Sequence, residues 1–142
     1  MVVAGLAGME APVKAATVGT VVLWFLNFFA HVRSANPANY NQSYSAELSP
    51  SEKPFNAYER AAANMVESLP LAIAVIWASI FAGGNPKVLA IVITLFVILR
   101  VLFVVLYTNM IQPFRSVSFA LGQLCVLIIG VLGILGAFDV YS

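Results

Sequence analysis

Residues Tyr58–Pro70 read YERAAANMVESLP and open directly onto LAIAVIWASIFA (Leu71–Ala82), a run without a single charge. On an α-helix the offsets of four and seven residues from Arg60 to Asn64 and Glu67 keep all three side chains within about 60° of one another. They form one polar stripe, with both signs of charge, along the first turns of an otherwise apolar helix. Lipid has no use for such a stripe, so its presence sets the question the rest of the sequence must answer.

The surrounding composition fixes the solvent. Of 142 residues, 61% are hydrophobic and only 9% charged, against about 45–50% and about 25% in ordinary soluble domains. Mean hydropathy is +0.94. Four apolar segments, at about residues 15–32, 56–82, 88–110 and 116–138, are each close to the roughly 20 residues that cross a hydrocarbon core. Between them lie NPANYNQSYSAELSPSEKPF, GGNPK and NMIQPFR, polar or turn-forming stretches rich in Asn, Pro and Gly. The expected architecture is all-α: a single domain over residues 1–142, folded as an up-down four-helix transmembrane bundle. The first segment is expected to stay attached rather than act as a secretory signal. Glu10 and a lone Lys14 precede it where a basic region belongs, and it ends in His31-Val32-Arg33 instead of small residues.

Charge and cysteine content narrow the function classes. A net charge of +1 supplies no basic surface for nucleic acid. The single Cys125 excludes a disulfide within the chain, and lone His31 without paired cysteines gives no metal set. Lys14 and Lys87 fall at one side of the membrane, and Arg33, Lys53, Arg60 and Arg115 at the other. The positive-inside rule therefore puts the loop of residues 33–55 and the turn of residues 111–115 in the cytoplasm.

Arg100, within LFVILRVLFVVLY, needs a reason to be there, because a guanidinium at the centre of a span costs about 2.5–3.5 kcal/mol on insertion scales. Glu67 is the acidic residue placed well inside a predicted span, so an Arg100–Glu67 ion pair closing the bundle is the simplest expectation. Arg33, Arg60 and Arg115 then remain at one membrane face. Each is read either as snorkelling to headgroups or as part of a cluster for an anion, since guanidinium groups bind carboxylates in a bidentate fork. Asn64, Tyr107, Asn109 and Gln123 add neutral hydrogen-bonding capacity. The glycines of the last segment, Gly122, Gly130, Gly133 and Gly136, read as close-packing positions.

The pattern Arg60-Ala61-x-x-Asn64-x-x-Glu67-x-x-Pro70 resembles the signature of the MAPEG family, the membrane-associated proteins of eicosanoid and glutathione metabolism. Ala30-His31-Val32-Arg33, the Arg100 and Tyr107 pair, and Arg115-Ser116-Val117 agree with that family in order and spacing. The resemblance implies a homotrimer of four-helix subunits binding glutathione at each subunit interface near the cytoplasmic side. It assigns Arg33, Arg60, Asn64, Glu67 and Tyr107 to glutathione binding, and Arg115 to stabilising the thiolate. Ala63 and Phe119 stand where the prostaglandin synthase branch carries an arginine and a tyrosine, and the turn from Tyr107 to Arg115 is one residue shorter, which argues against isomerase activity. The implied function is that of a glutathione-dependent membrane transferase or peroxidase acting on hydrophobic small molecules that arrive through the lipid. The alternatives are a non-catalytic lipid-binding or scaffold protein, as the family also contains, and an accessory subunit of a larger membrane complex.

Overall fold

A computed structural model describes residues 6–41, 55–111 and 113–138. Four helices dominate it: α1 (Glu10–Ser34), α2 (Ala57–Phe81), α3 (Pro86–Thr108) and α4 (Phe114–Ala137). All four are long and apolar enough to cross a membrane. The loop residues 42–54, including the Lys53 used in reading orientation, lie outside the described residues. At the neck of that loop, β1 (Tyr40–Asn41) and β2 (Phe55–Asn56) form a two-residue antiparallel pair.

Local chemistry sets the helix ends. Asn56 caps α2 by accepting from the backbone N–H groups of Tyr58 and Glu59, and Asn85 caps α3 from Val88 N–H, with Pro86 at the first helical position. Between them, Gly83 adopts φ +79°. Gly83 N–H donates to Ile80 O at 3.1 Å and Gly84 N–H to Ser79 O at 3.1 Å, the pair of bonds that closes a helix through a left-handed glycine. The α3–α4 turn has the same form with Met110 at φ +58°, Met110 N–H reaching Tyr107 O and Ile111 N–H reaching Leu106 O. Helix α1 begins at Glu10, earlier than its apolar run suggests, because Pro12 sits in the first turn, where its missing N–H costs no hydrogen bond.

The helices do not form a ring in chain order. Helix α2 packs against α1 and α4, and α3 against α1 and α4, so the consecutive helices α2 and α3 meet more sparsely. Leu23, Met65, Ile76, Leu89, Ile93, Phe96 and Ile129 fill the centre. The outside is as apolar as the inside: Trp24, Phe25, Leu71, Phe81, Ile98, Leu127 and Ile134 are exposed on the protomer, the surface expected of a bundle surrounded by lipid. This is an all-α, multi-pass integral membrane protein.

Close approaches hold the far end together. A Cβ at Gly136 would fall 2.5 Å from Gly84 N, inside the α2–α3 turn, and one at Gly133 would lie 2.8 Å from Ser79 Cα. Ser79 Oγ donates across the same contact to Ile129 O at 2.8 Å. Gly130, by contrast, has only Val75 Cγ1 nearby, at 3.6 Å. Gly133→Ala is therefore expected to lower unfolding stability in detergent by about 1–3 kcal/mol through overpacking. Gly130→Ala should leave it within about 0.5 kcal/mol, and equal thermal midpoints for the two variants would contradict this packing.

Candidate functional site

Consecutive helices run in opposite directions, so the last turns of α1 and α3 share one end of the bundle with the first turns of α2 and α4. Asn56 fastens this end. Its side chain is 2% exposed, and while its oxygen caps α2, its Nδ2 donates to Ser34 O at 2.9 Å. Its backbone also pairs with Tyr40. The last turn of α1 and the first turn of α2 are thereby held in register, and with them Arg33 and Arg60. Asn39 Nδ2 adds a bond to Arg33 O at 2.6 Å.

Two of the three arginines of this end, Arg33 and Arg115, rest on rings. The Arg33 guanidinium lies 5.4 Å from the Tyr58 ring centroid and 5.9 Å from that of Phe29, bridging α1 and α2. Arg115 lies 4.7 Å from the Tyr107 ring centroid, bridging α4 and α3. Attraction to a ring does not use up a guanidinium's hydrogen-bond donors, so such a contact is compatible with binding an anion as well. His31 Nδ1 sits 2.9 Å from Asn27 O, a local bond within α1.

The stripe that opened the sequence faces away from the protomer's own core. Ala61, Ala62, Met65 and Leu69 are the buried face of α2, whereas Arg60 and Glu67 are exposed and Asn64 is half-buried. The Asn64 side-chain oxygen is enclosed and has no hydrogen-bond partner. Beside it, between α1 and α2, a groove of about 270 Å³ is lined by Thr20, Trp24, Asn27, Met65, Leu69 and Pro70. Asn27, one of the residues lining that groove, likewise has an enclosed side-chain oxygen without a partner.

One expectation is corrected. Arg100 and Glu67 do not pair within the protomer. Arg100 is 1% exposed, and its Nε, Nη1 and Nη2 have no hydrogen-bond partner. Glu67 follows the fully buried Met65 by two positions, about 200° around α2, and therefore points outward. Arg100 instead lies between rings, its guanidinium carbon 4.8 Å from the Phe119 centroid and 5.4 Å from that of Phe96. Desolvated contacts of this kind are each worth about 2 kcal/mol or more, comparable with the insertion cost of about 2.5–3.5 kcal/mol.

Two groups of candidate residues thus share one end of the bundle: Arg33, Arg60, Asn64 and Glu67 on α1 and α2, and Tyr107 and Arg115 on α3 and α4. Among the described residues no three of His, Cys, Asp and Glu gather as a metal-binding set. One family model, the MAPEG family, matches the chain over residues 9–135. The chain belongs to the MAPEG family. This family of membrane proteins includes glutathione transferases and related proteins. No curated protein matches the chain.

As a MAPEG protein the chain carries features whose structural roles its sequence alone did not assign. Tyr58, the first residue of the opening stretch, is the platform for Arg33. Asn56 is the cap that fixes both arginines of the first group, and its signal was present as Asn56 followed three residues later by Glu59. Phe119 is a ring beneath Arg100. The separation of Glu67 from Arg100 is testable by a double-mutant cycle on unfolding stability. Glu67→Gln and Arg100→Met are expected to couple by less than about 0.5 kcal/mol; a coupling above about 2 kcal/mol would restore the ion pair.

Proposed function

We propose that this MAPEG protein is a glutathione-dependent membrane enzyme that presents a glutathione thiolate to hydrophobic electrophiles. The observation that carries the reading is the outward-facing stripe of Arg60, Asn64 and Glu67 beside the ring-mounted Arg33. Glutathione carries two carboxylates, one ammonium and one thiol. Arg33 and Arg60 suit the carboxylates as bidentate donors, and Tyr107 adds a hydroxyl. Asn64, half-buried beside them, adds a side-chain amide to the stripe, and Glu67, unpaired with Arg100 in the protomer, suits the ammonium. Because the stripe points away from its own bundle, the site is completed by a second copy of the chain, in keeping with a homotrimer that binds glutathione between subunits. The loop end of the bundle, where glutathione is supplied, then faces the cytoplasm.

Arg115 is assigned to the sulfur. A free thiol of pKa about 8.5 is only a few per cent thiolate at neutral pH, and a guanidinium within about 4–6 Å lowers that pKa by about a unit or more. With an aryl halide, the thiolate sulfur forms a bond to the ring carbon, halide leaves with its bonding electron pair, and the thiol proton passes to solvent. With a lipid hydroperoxide, the thiolate takes the terminal oxygen and the alkoxide leaves as an alcohol after protonation. A second glutathione then closes the disulfide and releases water. The groove between α1 and α2, lined by Leu23, Trp24, Met65 and Leu69, offers an apolar wall against which such a substrate arrives from the bilayer.

The purified protein should conjugate glutathione to a chlorinated nitroarene. Arg115→Ala is expected to lower that rate about tenfold or more, in step with the ultraviolet thiolate absorbance of bound glutathione, since one unit of thiol pKa is a factor of ten in thiolate. An unchanged rate together with an unchanged absorbance would overturn the assignment of Arg115. Absence of glutathione binding altogether would favour a non-catalytic lipid-binding member of the family.

A further inference from the structure

Arg100 has no part in the glutathione contacts above, yet it is the largest side chain fully enclosed by the bundle. Its three nitrogens meet no acceptor. A leucine or methionine would fill the same space without burying a charge, so the guanidinium calls for an explanation in what it touches.

What it touches is the start of a continuous stack. The Arg100 guanidinium lies 4.8 Å from the Phe119 ring centroid. Phe119 meets Phe103 at 5.6 Å with the rings tilted by 54°. Phe103 meets Tyr107 at 5.4 Å and 58°, and Tyr107 carries Arg115 at 4.7 Å. The order is Arg100, Phe119, Phe103, Tyr107, Arg115: three rings between two guanidinium groups. The stack is woven through both helices, because Phe119 lies four residues after Arg115 on α4 and Phe103 four residues before Tyr107 on α3, each pair on one helical face. A cation over a ring prefers the ring's face to its edge, whereas an aliphatic side chain has no such preference. Arg100 therefore does more than fill space beside Phe119: it selects the ring's tilt. Phe119 lies one turn after Arg115 on the same face of α4, so the seating of its ring bears on the turns from which Arg115 projects.

We propose that Arg100 is a positioning residue for Arg115, acting through the Phe119–Phe103–Tyr107 stack to hold the Arg115 guanidinium where it stabilises the glutathione thiolate. This inference rests on the role given to Arg115 above. It accounts for a buried arginine without an acid: the group is kept for the direction of its contact with a ring. Placement matters at this level, since a shift of about 1 Å in a catalytic group costs on the order of a hundredfold in rate.

The test uses the full chain in lipid nanodiscs, following glutathione affinity by calorimetry and the thiolate fraction of bound glutathione by ultraviolet absorbance against pH. In Arg100→Met the thiolate titration should move up by about one unit, cutting thiolate at neutral pH about tenfold. Affinity should change by less than about threefold, because the carboxylate contacts assigned to Arg33 and Arg60 are untouched. Arg100→Lys, which restores a cation, should recover part of the shift. Phe119→Leu alters no charge and should reproduce it, and the double variant should be no worse than either single one, as for two members of one linkage. The proposal fails if Arg100→Met and Phe119→Leu both titrate like the parent protein, or if their effects simply add. It also fails if affinity and thiolate fall together with no recovery in Arg100→Lys, the pattern of a merely structural residue. If Arg115→Ala itself leaves the titration unchanged, the role of Arg115 falls; if Arg115→Ala shifts it and Arg100→Met does not, only the positioning role falls.

Discussion

Hydrocarbon gives a guanidinium neither water nor counter-ion, and this bundle answers that constraint with aromatic faces. Arg33 rests on Tyr58 and Phe29, Arg115 on Tyr107, and Arg100 between Phe96 and Phe119. A ring face stabilises a charge without consuming its N–H groups, so a cation mounted on one keeps donors that a ligand can use. Pairing with protein carboxylates would have closed the same arginines to any anion. The outward direction of Glu67 belongs to the same arrangement: a bundle that neutralised Arg100 with Glu67 would have spent the acid of the stripe on its own interior.

The scaffold supplies position. Asn56 caps α2, bonds to the last turn of α1 and pairs across the loop neck, which brings Arg33 and Arg60 to one edge. At the opposite end of the bundle Gly133 and Gly136 let α4 approach Ser79 and the α2–α3 turn. On α1, Gly19 approaches Val97 so closely that a Cβ would sit 2.6 Å from its Cγ2. Small residues thus give the intimate helix contacts that replace a hydrophobic driving force in lipid, and larger side chains are left to face the bilayer.

Much of this was legible in the sequence. Hydropathy and turn residues gave four spans because the membrane imposes a length and a composition at once. GGNPK read as a tight turn, and the structure resolves it into a left-handed exit from α2 at Gly83 and a start of α3 capped by Asn85. The α3–α4 turn was less readable, since its left-handed residue is Met110, a type that carries no such signal. The stripe of Arg60, Asn64 and Glu67 followed from the helical period, but its outward direction did not. Only the packing of Met65 and Leu69 against the other helices decides which face of α2 is inside. The Arg100–Glu67 expectation failed for that reason: charge complementarity proposes partners, while rotation about the helix axis disposes of them. The contacts of Tyr58 with Arg33 and of Phe119 with Arg100 stayed unread because aromatic residues in an apolar span look alike until their neighbours are known.

The central claim is that the rim guanidinium groups are held open for the carboxylates of a ligand. It is tested most directly by titrating the reconstituted protein calorimetrically with glutathione and with its diester, which keeps the thiol and ammonium but has no carboxylate charge. The account predicts that glutathione binds and that the diester binds at least about tenfold more weakly, as expected when hydrogen bonds to charged groups worth about 1.5–3 kcal/mol each are lost. Equal affinity for the two compounds would contradict it.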